Sequence, residues 1–381
     1  MKKVGIITVH RLPNWGSVMQ GYALQQVIKQ LGYKSECIDY KYPNEWHIER
    51  GSWIPGKERF KTKFARLLGL RAPRLQNLVD QFINNEMQVS RKYNTFEDLH
   101  ANPPQYDIYI SGSDQIWNWK TMCVDTSYML DFAPDDKPKI AYSSSFSVNH
   151  IPNEYCRTYK VNLAKYKAIS TREKNGCKIV KKLLGKDIPV VLDPTLLIAK
   201  EQWGRLAEKA VWKKPMPPKY ILCYLLGYTY NPKPAMASLL ENLQQKFNCP
   251  VIMLGNTFSE YHGQVFRMAK SQGIGVYEFL WLIKNATIFA TSSFHGTAFS
   301  VNLGTPFLSL VEKIDQEDDR ITSFLEKVGL IKQIVTVSTD FEHLDSDGRY
   351  DVVKAQNKLQ AMRSESLDWL KNALKEESIL R

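Results

Sequence analysis

Short apolar runs alternate with segments of helical periodicity over most of the 381 residues of this chain. This alternation is typical of parallel sheets built from βα units, because a parallel strand is buried on both faces and is followed by a helix that covers it. The expected strands are residues 4–9, 35–40, 106–111, 139–143, 167–171, 188–192, 219–226, 251–255, 287–291 and 306–311. The sequence therefore predicts an α/β protein.

Residues 213–219 contain three prolines and interrupt the alternation. Proline restricts φ and lacks a backbone donor, so this run favours an extended connector. We expect a domain boundary here, with one Rossmann-like domain at 1–212, a second at 213–350, and a helix within 351–381 that packs near their junction. In such domains ligands bind beyond the carboxyl ends of the strands, and here we expect them in a cleft between the two.

The net charge of +12 implies an anionic partner, such as nucleic acid, an anionic membrane, or a phosphorylated or carboxylated small molecule. The excess charge is spread along the chain, which argues against nucleic acid. Residues 57–74 are the exception, with seven basic residues against one acid. As a helix this segment would be apolar on one side and basic on the other, which suits an anionic membrane surface. The alternatives are an active-site lid or a helix packed on its own domain.

Several motifs are missing from the sequence. The six cysteines lie at least 21 residues apart, which excludes short zinc-binding spacings and favours reduced thiols in the cytoplasm. The chain lacks a P-loop, an HExxH motif, an EF-hand loop and a complete dinucleotide fingerprint. It also lacks a signal peptide and any run of ~20 apolar residues. We therefore expect no metal, nucleoside triphosphate or nicotinamide cofactor, and a cytoplasmic protein that is at most peripheral at the inner face of the membrane.

The first expected strand is followed by a polar turn at 14–17 and then by a helix. The N–H groups at such a helix start favour an anion or a polar sugar group. Asn14 and Gly16 suit a turn, and Ser17 suits a helix N-cap. These residues either bind a ligand or only shape the turn.

A second polar segment begins at the end of the expected strand 106–111. Asp114 in this segment could orient or deprotonate a ligand hydroxyl, and Trp117 could stack on a sugar face. The alternative makes Asp114 a helix cap and Trp117 a core residue.

Three basic residues that follow strands are candidate anion-binding groups. Arg172 lies at a helix start after strand 167–171, where its guanidinium would hold a carboxylate or phosphate through paired donors. Lys313 and Arg320 follow strand 306–311. Each could instead pair with a neighbouring acid or stay solvated.

His295 follows the expected strand 287–291 at another βα turn. An imidazole can donate and accept protons near neutral pH, so this position favours acid–base chemistry over a purely structural role. Its small and polar neighbours could contact an anion at the same helix start: Ser292, Ser293, Gly296 and Thr297.

Together these segments resemble the polysaccharide pyruvyl transferase family. Seven segments in the family's order carry the resemblance: NWGSVMQGYALQ at 14–25, GSDQIWN at 112–118, AYSSSF at 141–146, STREKNG at 170–176, LDPTLL at 192–197, SSFHGTAFSVNLGTPF at 292–307 and DRITSFLEKVGL at 319–330. The resemblance implies a fold similar to GT-B glycosyltransferases, with two Rossmann-like domains that face a cleft.

The resemblance also implies an activity. Members of the family transfer a pyruvyl group from phosphoenolpyruvate to two hydroxyls of a sugar, which makes a cyclic ketal on a surface polysaccharide or its lipid-linked precursor. The acceptor would be a glycan, either unattached or linked to polyprenyl diphosphate. Because phosphoenolpyruvate carries a carboxylate and a phosphate, its site needs cationic groups and a proton donor but no metal.

The resemblance implies functional positions for His295 and Arg172 and a further basic residue at Lys313 or Arg320. We expect His295 to deliver a proton or assist phosphate departure, and Asp114 to act as the acceptor base. The expected donor-binding residues are Arg172, Ser293, Gly296, Thr297, Lys313 and Arg320. The expected acceptor-binding residues are Asn14, Trp15, Gly16, Ser17, Gln20, Gln115 and Trp117. Trp15 stands where tyrosine is more usual, which keeps an aromatic surface.

Two alternative hypotheses remain open. A sugar-nucleotide glycosyltransferase on the same GT-B architecture would add a hexosyl group in place of a ketal. A non-catalytic binding module would use the basic surface to hold nucleic acid or anionic lipid, and would show a steep salt dependence.

Overall fold

The chain forms two compact α/β units. The computed structural model describes residues 1–50, 66, 68, 70–227, 230–255 and 257–375. Within the described residues, the first unit comprises 1–50, 75–198 and 361–375, and the second comprises 66, 68, 70–74, 199–227, 230–255 and 257–360. Each unit contains one parallel sheet with helices, so the predicted fold class of two Rossmann-like units is confirmed.

The first unit is built on a six-stranded parallel sheet. Its strands are β1 (Lys3–Ile7), β2 (Lys34–Tyr40), β3 (Val89–Tyr93), β4 (Ile108–Ser111), β5 (Lys139–Ser144) and β6 (Ala168–Thr171). They are arranged in the order β3-β2-β1-β4-β5-β6, which is the Rossmann order. The order reverses between β1 and β4, and the carboxyl ends of these two strands flank the point where such sheets bind ligands.

The helices of the first unit connect these strands. They are α1 (Trp15–Gln30), α2 (Glu45–Glu49), α3 (Leu75–Glu86), α4 (Phe96–Ala101), α5 (Trp119–Met122), α6 (Asn153–Leu163), α7 (Lys174–Leu184) and α8 (Pro194–Leu197). A short 3-10 helix spans Thr126–Met129. Helix α1 is buried along most of its length, which fixes the turn at its start against the sheet.

The second unit is built on a five-stranded parallel sheet in the order β11-β10-β9-β7-β8. Its strands are β7 (Ile221–Tyr224), β8 (Val251–Leu254), β9 (Ile288–Thr291), β10 (Phe307–Val311) and β11 (Ile334–Thr336). Its helices are α9 (Lys200–Ala207), α10 (Lys233–Phe247), α11 (Val276–Asn285), α12 (Phe294–Leu303) and α13 (Arg320–Val328), with a 3-10 turn at Ile331–Gln333. The last helix, α14 (Val352–Leu374), begins in the second unit and ends in the first.

Three elements differ from the sequence expectation. Residues 188–192 make only an isolated bridge, Val190 with Thr171, because Asp193 and Pro194 turn the chain into α8. Strand β3 was not expected because its sequence, VSRKY, has three polar residues in a row and no apolar run, as suits an edge strand. Strand β11 was also not expected, since only three residues form it.

The chain passes from the first unit to the second between residues 198 and 199, whereas the sequence suggested a boundary between 212 and 213. The difference arises because α9 packs on the second unit: the fully buried Trp203 contacts Phe299 with ring centroids 5.0 Å apart. Most of the basic segment 57–74 lies outside the described residues. Among the helices that are described, none has the length and apolar character needed to span a bilayer.

Candidate functional site

A buried polar network occupies the carboxyl end of the first sheet, and Asp114 is at its centre. Asp114 follows β4 with φ +77°, in the left-handed region that non-glycine residues rarely adopt. Its Oδ2 accepts a hydrogen bond from the Ser17 hydroxyl at 2.6 Å, and its Oδ1 accepts one from the Gln115 backbone N–H at 2.9 Å. Such strained backbone is tolerated where the surroundings fix it, and it clusters at functional sites.

The turn before α1 is closed by Asn14. Its side-chain oxygen accepts hydrogen bonds from the backbone N–H groups of Gly16, at 2.9 Å, and Ser17, at 3.3 Å. Asn14 is therefore the N-cap, the role that the sequence suggested for Ser17. Because Ser17 lies two residues inside the helix, its hydroxyl can reach Asp114.

Arg172 belongs to the same network. Its Nη1 donates to Asp193 Oδ2 at 2.7 Å, and its Nη2 lies 3.5 Å from Asp114 Oδ1. Only 4% of Arg172 is exposed. The Ser113 hydroxyl donates to the same Asp193 oxygen at 3.0 Å. Two carboxylates of its own unit thus already pair with the guanidinium that we expected to hold the donor.

Asp193 links this network to helix α8. Its Oδ1 accepts hydrogen bonds from the Thr195 backbone N–H at 2.9 Å and the Thr195 hydroxyl at 2.6 Å. No local signal marks Asp193 as a partner of Arg172, because the two lie 21 residues apart.

The remaining residues that we expected to bind the acceptor are mostly buried. Gln20 donates from Nε2 to the Thr8 hydroxyl and to the Ser17 carbonyl, both at 2.8 Å. Trp15 is buried at the first position of α1, and Gln115 is partly buried. These residues adjoin the Asp114 network through Ser17.

Trp117 is a core residue. Its side chain is 0% exposed, its Nε1 donates to the Tyr128 carbonyl at 3.1 Å, and its ring packs on Phe146 and Tyr166. No face of the indole is available to a ligand. The expectation that Trp117 stacks on a sugar is therefore corrected in favour of the core role that the sequence left open.

Trp119 has the exposure that Trp117 lacks, and sequence reasoning missed it. It is partly exposed at the first position of α5, with His150 and Tyr155 about 6 Å from its ring, at 6.3 and 6.1 Å between centroids. Its Nε1–H is buried and finds no acceptor within the described part of the chain. The sequence signal that could have indicated Trp119 is that it is a second tryptophan, two positions after Trp117, beyond the same strand.

A charged cluster lies where β1 and β2 end. Arg11 donates from Nε and Nη2 to the two carboxylate oxygens of Asp39, each at 2.6 Å, and from Nη1 to Asp80 at 2.8 Å. Burial raises the pKa of Asp39, but hydrogen bonds from His10 and Arg11 outweigh it and hold that pKa well below its usual value. An acid near the end of the second strand binds the ribose in dinucleotide-binding Rossmann domains. Here both oxygens of that carboxylate, Asp39, accept hydrogen bonds from Arg11.

The second unit carries a separate group of residues at the start of α12. Ser293 is the N-cap, and its hydroxyl oxygen accepts a hydrogen bond from the Gly296 N–H at 3.3 Å. His295 is in the first turn of this helix and is 7% exposed. Thr297 is buried and shares a hydrogen bond with the Ser309 hydroxyl at 2.7 Å, which ties the first turn to β10.

Arg320 lies beside the same helix turn. The Phe294 ring contacts the His295 ring with centroids 5.4 Å apart, and the Arg320 guanidinium carbon lies 5.9 Å from the Phe294 centroid. Asp318 holds Arg320 through Nε at 2.6 Å and Nη2 at 2.5 Å. Lys313 is exposed. Of the two basic residues left open by the sequence, Arg320 is the one whose guanidinium lies beside Phe294, the residue before His295.

The fold and these groups define a class: a two-unit α/β protein with polar residues gathered at the carboxyl ends of both parallel sheets. The chain belongs to the polysaccharide pyruvyl transferase family, whose sequence model matches residues 14–313, most of its length. It is therefore a transferase, as the resemblance implied.

Solved structures similar to the chain include three proteins. A glycotransferase of kitacinnamycin is 11% identical, with 98% of this chain and 99% of that chain covered and a TM-score of 0.45. A putative UDP-N-acetylglucosamine 2-epimerase from Listeria monocytogenes is 11% identical, with 97% and 90% covered and a TM-score of 0.49. The glycosyltransferase SnogD from Streptomyces nogalater is 10% identical, with 98% and 99% covered and a TM-score of 0.47. No protein with a curated description matches the chain significantly.

Proposed function

We propose that this transferase moves the pyruvyl group of phosphoenolpyruvate onto two hydroxyls of a sugar in a surface polysaccharide or its lipid-linked precursor, and releases phosphate. The proposal rests on the family and on one observation: a buried histidine in the first turn of α12 and an arginine share contacts with Phe294. A proton donor beside a fixed cation is the pair of groups that an enol phosphate carrying a carboxylate requires.

The reaction begins at the donor. His295 delivers a proton to the methylene carbon of phosphoenolpyruvate, which leaves C2 as an oxocarbenium-like centre. One sugar hydroxyl attacks C2 and loses its proton, and the C2–O bond to phosphate breaks. The second hydroxyl then attacks C2 and closes the ring; its proton returns to His295, and the proton of the first hydroxyl leaves with the phosphate. The sum is one phosphoenolpyruvate and one sugar diol giving one cyclic ketal and one inorganic phosphate.

Arg320 is the residue to which we assign the donor anion. Its guanidinium is already oriented by Asp318, so less conformational freedom is lost when a carboxylate or phosphate binds. Ser293, Gly296 and Thr297 stand at the same helix start, where backbone N–H groups favour an anion. Lys313, which is exposed and lacks such a partner among the described residues, is the weaker candidate.

Asp114 is the residue to which we assign the acceptor proton. Its carboxylate is fixed by Ser17 and by the Gln115 backbone, so an acceptor hydroxyl would pass its proton directly or through the Ser17 hydroxyl. Arg172 lies against two carboxylates, Asp193 and Asp114, and belongs to the same unit as Asp114, so we assign it the positioning of Asp114 in place of direct donor binding. Trp119 replaces Trp117 as the aromatic surface for the sugar.

The acceptor's lipid linkage and the site of action are also part of the proposal. The basic composition of residues 57–74 would bring the enzyme to anionic lipid at the cytoplasmic face, where a polyprenyl diphosphate-linked sugar would be embedded. Most of this segment lies outside the described residues, and its role is a prediction from sequence.

The decisive experiment supplies phosphoenolpyruvate with a panel of lipid-linked or synthetic galactosides and mannosides. We expect phosphate release that depends on the acceptor, and a product heavier than the acceptor by pyruvic acid minus one water. Parallel reactions with nucleotide sugars test the glycosyltransferase alternative. A hexosyl product from those reactions, with phosphoenolpyruvate left intact, would overturn the proposal.

A further inference from the structure

The proline-containing segment 213–219, which the sequence suggested as a connector between domains, lines a cavity in the second unit. It is a shallow cavity, open to solvent over most of its surface, with a volume of about 450 Å³. Its lining residues are Trp212, Lys213, Lys214, Pro215, Met216 and Trp281. This volume lies within the range of small-molecule sites. None of these residues belongs to the groups around His295 or Asp114.

Hydrogen bonds hold the wall of this cavity in place. The Lys213 backbone N–H donates to Gln272 Oε1 at 2.8 Å, and Gln272 Nε2 donates to the Val211 carbonyl at 3.1 Å. The Val211 backbone N–H in turn donates to Glu278 Oε1 at 3.1 Å. With the φ restriction of Pro215, these contacts pre-form the wall, so a ligand loses less free energy in ordering it.

The cavity presents two partly exposed indoles. The rings of Trp212 and Trp281 lie 5.1 Å apart between centroids at an angle of 60°. The Trp212 Nε1–H is buried and has no acceptor within the part of the chain described here. The face of an indole packs against the C–H groups of a sugar ring. These features favour a sugar ligand.

The charged residues that line the cavity have one sign, and an acid in the wall, Glu278, accepts a hydrogen bond from the Val211 backbone. Lys213 and Lys214 are the charged residues of the lining, and neither is matched by an acid in it. The Lys214 ammonium donates to the Arg267 carbonyl and lies 4.1 Å from the Phe266 ring centroid, which fixes its position. A fixed positive charge beside aromatic faces favours a sugar that bears a negative charge.

We propose that this cavity binds an acidic sugar residue of a polysaccharide, with Trp212 and Trp281 against the sugar ring and Lys213 and Lys214 beside its carboxylate. The choice of a polysaccharide as ligand rests on the proposed function. The site is additional to the groups assigned to pyruvyl transfer, and it would hold a glycan chain apart from the sugar that reacts.

Binding of trigalacturonate to the full chain, in the absence of phosphoenolpyruvate, tests this proposal. Isothermal titration and saturation-transfer NMR should detect trigalacturonate binding. Trp281→Ala removes an aromatic surface on which the sugar stacks, so it should weaken trigalacturonate binding by at least about fivefold. Lys213→Glu, at an exposed position that the fold does not need, should weaken trigalacturonate binding and leave maltotriose binding unchanged.

The matched control is Trp46→Ala, which removes a partly exposed tryptophan of the first unit that has Arg50 4.0 Å from its ring. This variant should bind trigalacturonate as the wild type does. Unchanged binding in both Trp281→Ala and Lys213→Glu would overturn the proposal, as would displacement of trigalacturonate by an equal concentration of inorganic phosphate. If the chain binds trigalacturonate through Trp281 but makes no ketal, the proposed function is wrong and the proposed glycan site is still supported.

Discussion

Single polar residues in this protein are fixed by partners that lie far away in sequence. Ser17 and Asp114, 97 residues apart, share a 2.6 Å hydrogen bond, and both are almost fully buried. Arg172 pairs with Asp193 in the same way. Such partners matter because a buried polar group left without a hydrogen bond costs about 1 to 3 kcal/mol, more than the roughly 1 kcal/mol that the bond itself contributes. The residues proposed to act on substrate are therefore held before substrate arrives.

The first prediction at this scale concerns His295. We expect His295→Ala to lower the rate of phosphate release from phosphoenolpyruvate by about 10²- to 10⁴-fold, the usual contribution of a positioned acid or base. The control is His343→Ala, which removes an exposed histidine of the same unit. Circular dichroism should show both variants folded. Near wild-type turnover in folded His295→Ala would rule out the catalytic assignment.

The second prediction separates the two basic residues that sequence left open. Arg320→Ala should raise the KM for phosphoenolpyruvate about tenfold or more, because it removes a charge-assisted and pre-oriented donor. Lys313→Ala should change that KM by less than about twofold, since exposed charges contribute little. Initial rates at varied phosphoenolpyruvate measure both. A larger rise in KM for Lys313→Ala than for Arg320→Ala would show that Lys313, and not Arg320, binds the donor anion.

At the scale of elements, short polar turns between strands and helices position the candidate groups. Helix α12 approaches β9 so closely that a Cβ on Gly296 would lie 2.7 Å from the Thr291 hydroxyl oxygen. The turn before α1 is fixed differently, by the Asn14 side chain, which accepts hydrogen bonds from the first backbone N–H groups of the helix. These caps fix where each helix begins, and that position decides whether His295 or Ser17 points toward the strand ends.

Gly296→Ala tests this close approach. The added methyl group has to displace α12 or Thr291, and overpacking of this kind costs about 1 to 3 kcal/mol. We expect a lower free energy of unfolding and a lower turnover, because His295 is carried on the displaced turn. Denaturant unfolding and phosphate release measure the two effects. Gly185→Ala is the matched control, since a Cβ there meets no atom within 4 Å, although its φ of +70° adds backbone strain.

His100 gives helix α4 a pH-dependent attachment. Burial lowers the pKa of His100, but its hydrogen bond to Asp131, at 2.7 Å, and the charge of Asp131 raise that pKa above its ordinary value. A raised pKa means that His100 stabilises the fold fully below about pH 6.5 and loses this contribution as pH rises through the folded-state pKa.

Hydrogen exchange at the Leu99 amide measures this attachment. Protection should fall as the pH rises above about 6.5, after correction for intrinsic exchange, and His100→Gln should lack this fall. His150→Gln, which changes an exposed histidine hydrogen-bonded to Asn149, should behave as the wild type does. A pH-independent protection in the wild type would contradict the role given to Asp131.

At the scale of the whole molecule, the end of the chain returns to complete the first unit. The Ser366 hydroxyl oxygen accepts a hydrogen bond from the Leu192 N–H at 3.0 Å, and Arg363 donates to the Leu196 carbonyl at 2.8 Å. Trp369 packs on Tyr142, a fully buried residue of β5. Helix α14 thus covers the segment that holds Asp193, so the network around Arg172 depends on residues near the end of the chain.

A chain that ends at residue 360 should lose stability in its first unit alone. Hydrogen exchange of the β5 and β6 amides should rise, because Leu370 and Leu374 no longer cover the core, while the β9 and β10 amides stay protected. Ser366→Ala is the milder variant and should cost about 1 kcal/mol through the Leu192 N–H. Lys371→Ala, at an exposed position, should have no effect. Equal loss of protection in both units would contradict this dependence.

The sequence by itself determined the α/β class, nearly all of the strands and the ends of the strands where polar residues gather. It did so because strands buried on both faces need continuous apolar runs, and such runs can be read without knowledge of their neighbours. The polar turns before α1 and α12 were marked in the same local way, although the sequence assigned the N-cap of α1 to Ser17 and the structure assigns it to Asn14. The family could also be recognised from the sequence, because seven segments occur along the chain in the family's order.

Only the tertiary structure decided the environment of each candidate residue. It buried Trp117 in the core and left Trp119 partly exposed, although both are tryptophans after the same strand. It paired Arg172 with Asp193, and it placed Arg320 beside the Phe294 ring that contacts His295. The physical reason is that exposure and hydrogen bonding depend on residues brought together from distant parts of the chain, which no local pattern of apolar and polar residues records.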